Sequence, residues 1–153
     1  MQKESASQFM LDKIEELQSA LFFPETSDRI LPTCVLQQVQ TDKQDHIWFV
    51  IARPPYAIDP SNASFPCKMD FFKKGADFHL KVIGIASIIE EPVSSGCPLP
   101  VSMLKEAEEN KTVVIRVKIQ KSSYFEVPPA TTDNKASYNF FHAVTSVFNQ
   151  FFM

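Results

Sequence analysis

Glycine is scarce in this chain, with 3 in 153 residues. That is too few for a loop that cradles a nucleotide phosphate in backbone amides, and no such pattern occurs. Cysteine is scarce too: Cys34, Cys67 and Cys97 are odd in number, widely spaced and never in a CxxC pair, which argues against a disulfide framework and a zinc site. His46, His79 and His142 show no metal-ligand spacing of the HExxH kind. All six are read as structural residues, and no metal is expected. Positive charge is not in surplus either. A net charge of −3 and a pI near 5.6 leave no electrostatic footprint for DNA or RNA, so nucleic acid is not expected as a partner. Long apolar runs are missing, and the opening MQKESASQFMLDKIEELQ lacks the apolar core of a secretory signal. The expectation is a cytoplasmic protein with no membrane partner.

Phenylalanine is abundant, at 14 residues against a single tryptophan. The core is therefore expected to rest on phenylalanine and β-branched packing. The length fits one domain, 1–153, with enough chain to bury a core without disulfides or metal.

The most informative segment is 65–91, FPCKMDFFKKGADFHLKVIGIASIIEE, which reads as two long strands about one turn. Phe78, Leu80, Val82, Gly84, Ala86 and Ile88 are apolar or small and alternate with Asp77, His79 and Lys81, the signature of a half-buried strand. Lys73-Lys74-Gly75-Ala76-Asp77 supplies the reversal, where glycine accepts a positive φ. Gly84 inside a strand marks a bulge, a barrel bend, or a close approach by backbone or ligand.

Elsewhere, Met10, Ile14, Leu17 and Leu21 with a capping-box-like Ser5 and Gln8 predict a helix over about 5–18. ALFFPE and ILPTCVLQQVQTD read as two strands joined by a short turn. HIWFVIARP is a continuous apolar run, read as a central strand buried on both faces and ended at Arg53 by Pro54 and Pro55. VSMLKEAEEN reads as a short helix with a solvated acidic face. TVVIRVKIQ reads as a sixth strand, with Val113, Ile115, Val117 and Ile119 inward. Phe140, Val144, Val147, Phe148 and Phe151 form one face of a last helix, packed on its own sheet or at a subunit interface.

This order resembles the FMN-binding split-barrel superfamily, which includes the pyridoxamine 5'-phosphate oxidases and the flavin-binding general stress proteins. The resemblance covers about 11–119 and is carried by LPTCVLQQVQ, IWFVIAR, FPCKMDFFKKG and DFHLKVIGIASII. It implies an α+β fold: a six-stranded antiparallel split β-barrel with flanking helices at the N-terminus, before the last strand and at the C-terminus. It also implies a homodimer with FMN in grooves between subunits, the phosphate held by basic and hydroxyl side chains. Carried over, Thr33 and Cys34 face the flavin from the second strand, and Ile51, Ala52 and Arg53 lie at the end of the third. Arg53 is the expected phosphate ligand, because a guanidinium offers a planar fork of donors; a solvated strand-end arginine is the ordinary alternative. The oxidases carry a basic residue where this chain has Thr33 or Cys34, and another where it has Pro54, Pro55 and Tyr56. Lys68 and Lys74 supply the missing charge only if their strands bring them to the same groove.

Two functions follow from the resemblance. One is a flavin-dependent oxidoreductase of the pyridoxamine 5'-phosphate oxidase-like type, with no catalytic residue or substrate assigned. The other is a non-catalytic dimeric barrel that has lost flavin and acts as a binding module. A pyridoxamine phosphate oxidase itself is disfavoured, since no basic cluster for a second phosphate is found.

Overall fold

A computed structural model describes residues 2–25, 31–55 and 63–126. Two helices, α1 (Gln2–Leu17) and α2 (Val101–Glu108), accompany seven strands: β1 (Ala20–Pro24), β2 (Cys34–Leu36), β3 (Gln40–Thr41), β4 (His46–Ala52), β5 (Ser64–Phe71), β6 (Phe78–Ile89) and β7 (Thr112–Glu126). The strands form one antiparallel sheet in the order β2-β1-β5-β6-β7-β4-β3. The two edge strands are thus nearly consecutive in sequence, separated by residues 37–39 alone. Four peptide steps span at most about 14 Å, so the sheet has to curl until its edges face each other.

The long hairpin matches its sequence pattern. β5 and β6 pair from Ser64↔Ser87 to Phe71↔Leu80, and Gly75 takes the left-handed conformation at the turn, φ 88°. Every even position of β6 from Phe78 to Ile88 faces the core. Gly84 sits where the β6–β7 register shifts, pairing with Ile119 while Ile83 pairs with Lys121. A Cβ there would run into the Lys118 carbonyl and stand 2.9 Å from Val117 Cγ1. Both readings of this glycine, irregularity and close backbone approach, therefore hold at once.

The inner face collects Phe22, Phe49, Phe65 and Phe71 with Ile14 and Leu17 of α1. Phe22 packs edge-on to Phe49, ring centres 5.0 Å apart. Each such side chain contributes about 1.5–3 kcal/mol by burial, before the entropy of ordering it. A second, outer cluster lies beneath α2: Trp48, Leu99 and Val114, with Val50, Met103, Leu104 and Ala107 packed against it.

Several expectations need correction. The sheet has seven strands rather than six, because LPTCVLQQVQTD breaks into β2 and β3. The break is filled by the end of α1 instead of a ladder. Gln18, at φ 64°, accepts from the Val39 amide at 3.2 Å, and Glu15 Oε1 accepts from the Thr41 amide at 2.7 Å and its hydroxyl at 2.8 Å. β4 is buried on both faces, yet it is the penultimate strand and not a central one, with only the two-residue β3 beyond it. Helix α1 starts at Gln2, so Ser5 and Gln8 lie inside it, and Gln8 Nε2 donates to Asp12 at 2.8 Å. β7 runs on to Glu126, beyond the expected end at Gln120. The apolar stripe over 140–151 and the centre of the proline-rich loop lie outside the described residues.

Candidate functional site

The break that divides β2 from β3 also opens a cleft. β2 is hydrogen-bonded to β1, and β4 to β3 and β7, so no ladder joins β2 to β4. Between them lies a cavity of about 370 Å³, walled by Cys34, Leu36 and Gln37 on one side and Val50, Ile51 and Ala52 on the other, with Met103 of α2 above. Its walls are apolar except for the Cys34 thiol and the amides of Gln37 and Gln38. Burial pushes the Cys34 thiol up from its ordinary value, which keeps it protonated and a weak donor, not a nucleophile.

A second cavity, about 450 Å³, is lined by Arg53, the residue after Ala52 of the first. Ile88 and Val113 form part of its apolar floor, and Asn110, Thr112, Glu90 and Glu108 join Arg53 as polar lining. Asn110 holds φ 61° in the turn that leads from α2 into β7. The Thr112 hydroxyl is buried without a hydrogen-bond partner among the described residues. Backbone fixes the geometry here: the Arg53 amide donates to the Lys111 carbonyl at 3.1 Å. α2 borders both spaces, with Met103 at the first and Ala107, one turn on, at the second. Volumes of this size suit small ligands.

Of the residues singled out in the sequence, Cys34, Ile51 and Ala52 meet at the cleft, and Arg53 stands at the second cavity. Thr33 is exposed immediately before β2 and lines neither space. Lys68 projects from β5 and pairs with Glu25 at 3.1 Å; it too lines neither. Sequence reasoning missed Gln37, Gln38, Met103, Asn110 and Thr112. For Met103 a signal existed: Met103, Leu104 and Ala107 make an apolar stripe on a helix that was read by its acids. For Thr112 none did, since its significance comes from where β7 begins.

Outside these cavities, Asp42 forms a compact cluster at the β3–β4 turn. It accepts from the Gln44 and His46 amides at 2.8 and 3.1 Å and from Trp48 Nε1 at 2.8 Å, with His46 Nδ1 at 2.9 Å. Partial burial works to raise this carboxyl, but the donors from Trp48, Gln44 and His46 outweigh it and hold it below its ordinary value. The Arg116 guanidinium lies over the Trp48 ring, 5.6 Å from its centre. The chain's one tryptophan is thereby fixed beside the cleft wall. Cys34, Cys67 and Cys97 are free thiols. Among the described residues no helix is long and apolar enough to cross a membrane.

No family model and no curated protein sequence matches the chain. Solved structures do. A general stress FMN/FAD-binding protein from Xanthomonas citri superposes with a TM-score of 0.61 at 12% identity, covering 86% of this chain and 95% of that one. A protein from Clostridium acetobutylicum related to general stress protein 26, of the pyridoxinephosphate oxidase family, gives 0.56 at 8% identity, covering 80% and 89%. At these identities the likeness is one of fold, and it agrees with the split-barrel resemblance of the sequence.

Proposed function

We propose that the chain is an FMN-binding protein whose flavin ring lies in the split cleft and whose phosphate turns toward Arg53. One observation carries this reading: an apolar slot at the gap between β2 and β4, walled by Ala52, and a polar cavity lined by the next residue, Arg53, both bordered by α2. The residues fit a flavin. Leu36, Val50, Ile51, Ala52 and Met103 suit a flat apolar ring, Gln37 and Gln38 suit its hydrogen-bonding edge, and Arg53, Asn110 and Thr112 suit the far end. A bound flavin supplies hydride or electron transfer. The chain's own part is to bind the ring, orient it between β2 and β4, and screen it from water on the α2 side. Flavin-dependent oxidoreduction follows in this reading, with the substrate unassigned. A homodimer belongs to the same proposal; Thr33 and Lys68 contribute in it only across a dimer interface.

One observation favours the other reading, a dimeric barrel that binds without flavin. Among the described residues Arg53 is the only cation lining either cavity.

Two titrations decide between them. Charge-assisted hydrogen bonds to a phosphate contribute about 1.5–3 kcal/mol each, so Arg53→Ala should weaken FMN about tenfold or more while leaving riboflavin, which has no phosphate, nearly unchanged. Equal losses for both ligands would make Arg53 a structural support. No binding of either by the parent protein would leave the flavin-free module.

A further inference from the structure

Three charged side chains line the Arg53 cavity, and none of them is neutralised by a partner among the described residues. The contrast with their sequence neighbours is informative. Glu91 accepts from Ser94 at 3.4 Å, and Glu109 pairs with Lys111 at 3.1 Å. Glu90 and Glu108 make no such contact, and neither closes on Arg53, although all three border one space. With the buried, unpartnered Thr112 hydroxyl added, the cavity presents one cation, two carboxylates and an unused hydroxyl. The two carboxylates outnumber the guanidinium. An end group that carries two negative charges gains from Arg53 and loses to Glu90 and Glu108; a neutral polyhydroxyl end avoids that repulsion and still finds hydrogen-bonding groups in Asn110 and Thr112.

We infer that Glu90 and Glu108 set the charge selectivity of this cavity, offsetting part of the gain a phosphate dianion makes from Arg53 and so narrowing the preference for FMN over uncharged riboflavin. The inference rests on the flavin reading for its natural ligand, but the cavity's charge can be probed without flavin. A phosphomonoester is close to doubly charged above pH 7, its second pKa lying near 6. Repulsion from two solvated carboxylates that border the same cavity amounts to about three- to tenfold in affinity.

The test compares the full-length parent with Glu90→Gln/Glu108→Gln, a pair of exposed positions whose neutralisation breaks no side-chain contact among the described residues. FMN and riboflavin are each titrated by fluorescence at matched ionic strength. The double variant should bind FMN about three- to tenfold more tightly and riboflavin as the parent does. An unchanged FMN-to-riboflavin ratio, with both ligands bound, overturns the inference while leaving the flavin reading intact. If neither flavin binds, the flavin reading fails and inorganic phosphate decides. Millimolar phosphate should then raise the melting temperature of the double variant more than that of the parent. Equal shifts, or no shift in either protein, overturn the inference.

Discussion

The two sides of the barrel are built on different physics. The wall β5–β6–β7 is made of strands of 8, 12 and 15 residues in antiparallel pairing interrupted only by the register shift at Gly84, with β5 and β6 alternating between core and the outer face. The side opposite is made of strands of three and two residues, held by α1 side chains and by one aspartate. Long backbone ladders stabilise the first; short ladders supplemented by individual polar contacts stabilise the second. The cleft adjoins the second, at the gap between β2 and β4, and the Arg53 cavity lies at the end of the first, where β6 stops and β7 begins beside α2. The split side provides the apolar cleft, and the end of the wall provides the polar cavity.

That difference makes mutational predictions, the largest in the wall. Gly84→Val forces a side chain into the Lys118 carbonyl, part of a neighbouring strand that cannot move without breaking its own ladder. The cost should be about 3 kcal/mol or more, read as a lower midpoint in urea melts. A parent-like midpoint would mean that the wall is as adaptable as the split side.

On the split side, Asp42→Asn removes an acceptor from Trp48 and His46 and should cost about 1–2 kcal/mol, reduced from the buried-group value because the site is partly solvated. The sign with pH is fixed. A carboxyl held low in the folded state contributes stability that is present above the unfolded carboxylate pKa and is lost as pH falls through the folded one. The gap between parent and variant should therefore be full at neutral pH and close in acid. A gap that widens in acid would reverse the assignment.

The smallest effect concerns Asp70 on the outer face of the wall. Burial raises its carboxyl above the ordinary value, against the opposing charges of Lys81 and Lys68. A raised folded pKa means stability gained on protonation and lost as pH rises through it. Asp70→Asn should be slightly stabilising at neutral pH, by a few tenths of a kcal/mol at most (about the scale of partly solvated sites), and neutral or worse in acid. Melts at the two pH values would show it; destabilisation at neutral pH would contradict it.

The same division governs what could be read from the sequence. The β5–β6 hairpin was legible because period-two alternation and Gly75 are local signals, and Gly84 was legible because a glycine has no local reason to sit in a strand; the last six residues of β7, which do not alternate, were missed. The split side was not. LPTCVLQQVQTD reads as one strand since nothing in it marks residues 37–39 as a break; the break comes from Gln18 and Glu15, over twenty residues away in sequence, taking the amides that a ladder would have used. Cys34, Ile51, Ala52 and Arg53 were placed through the family pattern of strand ends. The neighbours that give them a cavity, Met103 and Thr112, depend on where α2 docks, which alternation cannot report.

The central claim, that the gap between β2 and β4 holds a flavin ring, has a built-in reporter. Trp48 lies in the cluster that includes Val50 and Met103, both of which also wall the cleft. Adding FMN or riboflavin should quench Trp48 emission saturably, and Ala52→Phe, which fills the cleft without touching Arg53's charge, should abolish that quenching for both ligands while leaving the fold intact by circular dichroism. Saturable binding by the parent that survives unchanged in Ala52→Phe would place the flavin elsewhere and contradict the account.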